Sequence, residues 1–264
     1  MALFEDVFNK AGIYEMLFFN VKTVLEHPTL ANLEEKNKKL YDRWSYIAET
    51  KYSNEIDGDI EMAMETIYQK NAVYYSEFAK IVAISYATLY VDNGELKRDF
   101  KKIVNENERI VIETFFDELR LLSSQATKSN PHFFPSLCGH NIISYDIPTL
   151  VKRFVLLNSQ SENDKKNQLP LILKRCLNIK PWESGIIDVV NVWKFNGFEH
   201  TSLMLISDYL GLKKTVDLLP LNELSQYYWE NIDKDSKATL NFMGLQSATQ
   251  TNLVIQLMNE LRQI

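Results

Sequence analysis

The carboxylate of Asp146 stands in the segment LCGHNIISYDIPTLVKRF, where residue types and spacing could support chemistry. PSLCGHN (135–141) predicts a short strand that delivers Asn141, with Asp146 five residues later and a helix starting at once. A carboxylate at a strand-to-helix connection lies near a strand end, where α/β folds assemble their sites. It could hold a metal ion or serve as a base. Taken alone it reads as a helix N-cap, accepting the free amide hydrogens of the first turn.

Other carboxylates read as structural. Asp59-Ile60-Glu61, in DGDIEM, is an Asp-x-Glu that follows no apolar run and opens an amphipathic segment, where acidic residues suit the helix dipole. Asp233-Lys234-Asp235 has the look of the start of the last helix, and Asp188 sits in the apolar run GIIDVVNVW (185–193), read as a strand. The histidines, His27, His132, His140 and His200, are scattered with no pair at metal spacing. No Gly-rich phosphate loop, Gly-x-Ser-x-Gly or Cys-x-x-Cys occurs, and Cys138 and Cys176 stand far apart, which suits a reducing compartment. The aromatic pairs Tyr74-Tyr75, Phe115-Phe116 and Phe133-Phe134, with Tyr227-Tyr228-Trp229, fall at helical spacing and read as core.

The elements that must position Asp146 alternate. MLFF (16–19) predicts a buried strand that meets a loop at Asn20 and Lys22, and AKIVAISYATLYV (79–91) a second strand. Asp92-Asn93-Gly94 predicts a tight turn into ELKRDFKKIV as a hairpin partner. Helical periodicity covers 30–52, 59–79, 108–125, 147–160, 202–212 and the last thirty or so residues. Pro148 suits a helix start and Gly211 a helix end. The expectation is a single α/β domain over residues 1–264, its core at about 16–262, with an exposed polar loop at about 158–170.

With 45% hydrophobic and 12% aromatic residues the 264-residue chain can bury an ordinary core. Its net charge of −6 advertises no broad nucleic-acid or membrane surface. The first sixteen residues lack the basic and continuous apolar regions of a signal peptide, and no run approaches about 18 uncharged apolar residues. A cytoplasmic protein is expected, or a virion component if the chain comes from a phage. The richness in Lys, Asn, Ile and Tyr fits an AT-rich bacterial or bacteriophage genome.

Five stretches in order, MLFFNVKTV, EFAKIVAISYA, GHNIISYDIPTLVKR, IIDVVNVWKFNGFEHTSLMLISDYLGL and LSQYYWE, resemble the predicted 3′–5′ exonucleases similar to the exonuclease domain of B-family DNA polymerases. The resemblance spans about residues 16 to 262. It implies a ribonuclease-H-like fold of the DEDD superfamily, a mixed central sheet flanked by helices, with additional N-terminal helices in this chain. Such enzymes cleave phosphodiesters with two divalent ions held by four carboxylates, assisted by a Tyr or His near the fourth.

Carried over position by position, the resemblance places the ligands at Asn20, Lys22, Asp146 and Gln246, and the base at Phe242. Asn141 and Asp188 match further motif residues outside the metal set. Only Asp146 keeps its carboxylate; an amide neutralises no charge, and Lys22 has no acceptor at all. Lys22 could set its ammonium beside Asp146 in place of the metal, or point to solvent. The resemblance therefore implies a degenerate exonuclease with no catalytic residue intact and no cofactor, acting as a binding, assembly or structural component, possible in a phage. A protein partner or self-assembly is expected. Residual nucleic-acid binding in the old cleft is the alternative, and an active enzyme using Mg²⁺ or Mn²⁺ a third.

Overall fold

The computed structural model describes residues 7–8, 12–56, 58–129, 135–159, 168–178, 185–194, 197–198 and 201–263, the side chains of 125–129 excepted. Most of the expected loop at 158–170, and His132, Phe133, Phe134, Phe195 and His200, lie outside them.

Five strands form one mixed sheet in the order β3-β2-β1-β4-β5. β1 (Met16–Leu25) is buried along its whole length, because both of its faces are covered. It pairs antiparallel with β2 (Ala79–Asp92), Asn20 opposite Ser85, and the register shifts between Lys22 and Thr23. β2 turns into β3 (Glu95–Val104) through Asn93 and Gly94, whose φ angles of 52° and 81° give the left-handed geometry a two-residue hairpin needs. β4 (Ser136–Gly139) runs parallel to β1, and β5 (Ile186–Asp188) parallel to β4.

Three expectations change. β1 does not end at Asn20 but continues to Leu25, since Asn20 and Lys22 are buried between layers instead of facing a loop. The run 185–193 is a strand only to Asp188, whose side chain then caps a short helix, α7 (Val189–Trp193). The first helical stretch divides at Asn37 into α1 (Leu30–Lys36) and α2 (Lys38–Lys51), because the Asn37 side chain caps the second piece. α3 (Ile60–Asn71) follows, and Asp59 is its N-cap, accepting from the amides of Glu61 and Met62.

These three helices are inserted between β1 and β2 and pack around Trp44, which meets Tyr68, Tyr75 and Phe78 edge-on. One sheet face carries Leu17, Phe19 and Val21 against α4 (Glu108–Ser129), α5 (Ile147–Ser159) and α6 (Leu171–Asn178). The other carries Met16 and Phe18 against α8 (Leu203–Leu210) and α10 (Ser236–Gln263); α9 (Leu221–Asn231) packs beside Val24. α10 approaches the sheet closely. At Gly244 an added Cβ would lie 2.8 Å from Val104 Cγ1, and the buried hydroxyls of Ser247 and Thr251 bond Ser85 at 2.8 and 2.7 Å.

α5 is fixed by a buried cation. Arg153 Nη2 donates to Glu108 at 2.5 Å and Nη1 to Glu26 at 3.0 Å and to the Ser76 carbonyl at 3.1 Å. Glu108 accepts the Ile81 amide at 2.7 Å, so one network joins α4, α5 and β2 with the residue after β1. Arg153→Met would strand the Glu108 carboxylate in the interior, and about 3–5 kcal/mol of unfolding free energy should be lost. Urea unfolding measures it; a loss under about 1 kcal/mol would show that the network is not what holds α5.

Candidate functional site

β1 pairs with β4 from Met16 to Phe18, and beyond that point its edge has no strand neighbour among the described residues. The chain leaves β4 through Asn141, whose φ of 64° is left-handed. The amides of Asn141 and Ile143 donate to the Asp188 carboxylate at 2.8 and 3.0 Å, and that carboxylate also caps Val190 at 3.1 Å. A π-helical turn follows over Ile142–Asp146, its last bond running from the Ile147 amide to the Ile142 carbonyl. Pro148 has no amide hydrogen to continue a regular ladder, and the widened turn swings Asp146 inward.

Asp146 thereby closes the open edge of β1. Its Oδ1 accepts the Val21 amide at 2.6 Å and the Asn20 side-chain amide at 3.0 Å. Asn20 Oδ1, also buried, has no hydrogen-bond partner among the described residues. Lys22, only 5% exposed, donates through Nζ to Gln250 Oε1 at 2.5 Å. The hydroxyls of Thr23 and Tyr145 lie 2.5 Å apart. Asn20, Val21, Lys22, Tyr145, Asp146 and Gln250 floor a cleft of about 440 Å³, walled by Tyr74, His140 and the start of α9 at Pro220 and Leu221.

Burial dominates the electrostatics here. Desolvation raises the Asp146 carboxyl to about 7, although the Val21 amide and the Lys22 charge both favour its ionised form. Desolvation likewise lowers the Lys22 ammonium to about 8, against the pull of Asp146. The two feel each other's charge yet make no ion-pair contact; Lys22 is held by an amide oxygen instead. His140 is lowered by burial too, and its Nε2 is a buried atom without a hydrogen-bond partner among the described residues.

Of the residues singled out from the sequence, Asn20, Lys22, Asn141 and Asp146 meet in the cleft. Asp146 is not the helix cap its sequence context suggested, because its carboxylate is spent on β1. Lys22 does not point to solvent: its side chain is buried and bonded to Gln250 of the final helix. Asp188 is a structural acceptor of three backbone amides. Gln246 lies outside the cleft: it accepts the Leu219 amide at 3.0 Å and donates to the Asp217 carbonyl at 2.8 Å, pinning the chain before α9. Phe242 packs on Tyr227, ring centroids 4.4 Å apart. Gln250, one helical turn beyond Gln246, is the α10 side chain that reaches the cleft. Its spacing of four from Gln246 puts both on one helix face, which does not tell which of the two enters the cleft.

No protein-family model matches the chain, and no curated protein matches it in sequence. The chemistry of the cleft therefore rests on its own donor set. Two divalent ions need several hard anionic oxygens. The cleft lining carries one carboxylate, three side-chain amides and an ammonium, which do not fit such a pair. Among the described residues no three His, Cys, Asp or Glu side chains converge in a way that could hold a metal ion.

Two titrations follow. Lys22→Met removes the charge that helps ionise Asp146, so the Asp146 carboxyl should titrate above about 7; ¹³C NMR of the carboxyl reads this, and an unshifted value would deny the coupling. A carboxyl raised from 3.8 to about 7 makes the folded state bind more protons than the unfolded one in that window. Its contribution to stability is full below pH about 4 and is lost as pH rises through about 7. Relative to Asp146→Asn, the unmodified protein should lose urea stability from pH 4 to 7; a constant difference would contradict the shift.

Proposed function

We propose that this chain is a catalytically degenerate 3′–5′ exonuclease-like protein of the ribonuclease-H-like class, and that it works by binding, as an assembly or structural component, without cleaving phosphodiesters. The observation that carries the reading is the cleft floor. Where two metal ligands would project from β1, Asn20 and Lys22 project instead, and both are bonded into the fold. Lys22 supplies positive charge near Asp146, the role a metal would otherwise fill.

The strand order supports the class. A three-stranded antiparallel meander with two parallel strands added beside β1 agrees with a ribonuclease-H-like sheet. So does the place of the cleft, between β1 and the turn that follows β4, with Gln250 of the last helix in its lining. The partner of such a scaffold is a protein, or further copies of the chain.

A second reading, nucleic-acid binding in the same cleft, is favoured by one feature: the floor has lost anionic groups and gained an ammonium, so it repels phosphate less. The chain's net charge of −6 weighs against strong phosphate-driven binding. Mobility-shift titration at low and moderate salt separates the readings. A shift at low salt that disappears with Lys22→Ala would favour the cleft as a nucleic-acid site.

The main proposal is tested with single- and double-stranded DNA and RNA in Mg²⁺ or Mn²⁺. No shortening from the 3′ end is expected. Robust 3′ degradation that Asp146→Ala abolishes would end it.

A further inference from the structure

We infer that β3 is a self-association edge: a second copy of this chain pairs antiparallel with it about a two-fold axis at Arg98, joining the two sheets into one. The inference rests on the reading of the chain as an assembly component and names its partner. β3 ends the sheet, with β2 on one side and no strand on the other among the described residues. The two-residue turn makes Asp92 and Glu95 a hydrogen-bonded pair, and the Asn105 amide, bonded to the Val82 carbonyl, keeps the same phase at the far end of the hairpin. By alternation Leu96, Arg98, Phe100 and Lys102 turn their backbone N–H and C=O groups outward, a template for another strand.

The side chains select that strand. Glu95, Lys97, Asp99 and Lys101 alternate onto the α4 face, where Lys101 reaches Glu118, and all four are at least partly exposed. Their charges run minus, plus, minus, plus. A row of lysines alone would repel any copy of itself, but this alternation is its own complement when reversed. With Arg98 opposite Arg98 of the second copy, Glu95 meets Lys101 and Lys97 meets Asp99, each pair twice by symmetry. These fall at the non-hydrogen-bonded positions, where side chains stand closest. Sliding the copy by two residues one way sets Lys97 against Lys97 and Glu95 against Asp99. Sliding it the other way sets Lys97 against Lys101 and Asp99 against Asp99. Like charges oppose in both, so the charges fix one register.

The α10 face agrees with that register. Leu96, 42% exposed, comes opposite Phe100, and the exposed Val91 lies beside Leu96 on β2. At the axis each Arg98 guanidinium is turned back onto its own chain, donating to Asn252 and lying 5.8 Å from the Phe100 ring centroid. Lys97 and Lys101 already touch Asp92 and Glu118 of their own chain, but an ammonium has three donors and can serve a second carboxylate.

Sedimentation velocity of the full chain from about 1 to about 200 micromolar tests the inference, and a monomer–dimer equilibrium is expected. The acidic variant Lys97→Glu/Lys101→Glu should dimerise at least about tenfold more weakly, and so should the basic variant Glu95→Lys/Asp99→Lys. Circular dichroism checks that both variants fold. Mixed in equal amounts they should recover a heterodimer, because every cross-strand pair again has opposite signs. A chain that stays monomeric throughout overturns the inference and leaves the edge to a different protein. A dimer that the two variants leave unchanged, or that their mixture fails to restore, overturns it as well. A monomer that shortens no DNA would sink this interface alone, whereas degradation from the 3′ end would sink the functional reading, so the two failures are distinguishable.

Discussion

A single carboxylate bonded to the open edge of the central strand is the joint on which this structure depends. β1 outruns β4, and its Val21 amide would otherwise be a buried donor with no acceptor, at a cost of about 1–3 kcal/mol. Asp146 supplies the acceptor. In doing so it fixes where the π-helical turn ends and where α5 begins, and α5 in turn brings Arg153 to Glu108. Asp188 does the same service on the other side of the turn by collecting the amides of Asn141, Ile143 and Val190.

The same bond shapes the cleft's electrostatics. A carboxylate and an ammonium buried side by side can neutralise each other only if they touch, and here each is claimed first by something else: Asp146 by two N–H groups of β1, Lys22 by Gln250. Desolvation then outweighs their mutual attraction and both move toward their neutral forms. A pocket balanced in this way holds too little negative charge for a pair of divalent ions. It keeps instead an amine and an acid whose ordinary charges are both weakened.

The approach of α10 decides which of its side chains enters that pocket. Gly244, Ser247 and Thr251 let the helix lie against β2 and β3, with hydroxyls bonded across the contact. That close crossing fixes the helix's rotation. It sends Gln246 to the 217–219 segment and Gln250 to Lys22. The inserted helices α1 to α3 have their own aromatic centre around Trp44, and Tyr74, in the turn after α3, lines the cleft.

How much was legible in the sequence follows from range. The hairpin at Asn93-Gly94, the caps at Asp59 and Gly211, and the strands β2 and β3 were readable because each depends on neighbours within a few residues. So were the amide at Asn20 and the ammonium at Lys22, which are a matter of residue type alone. No local pattern could show that β1 runs past Asn20, that the helix after Asp146 begins with a π turn, or that Gln250 and not Gln246 faces the cleft. Those depend on contacts between residues more than a hundred positions apart, Val21 with Asp146 and Lys22 with Gln250, and a helix's rotation about its own axis is set by what it packs on. The sequence by itself determined which charges the site could contain; only the tertiary structure decided which of them meet and how deeply they are withdrawn from water.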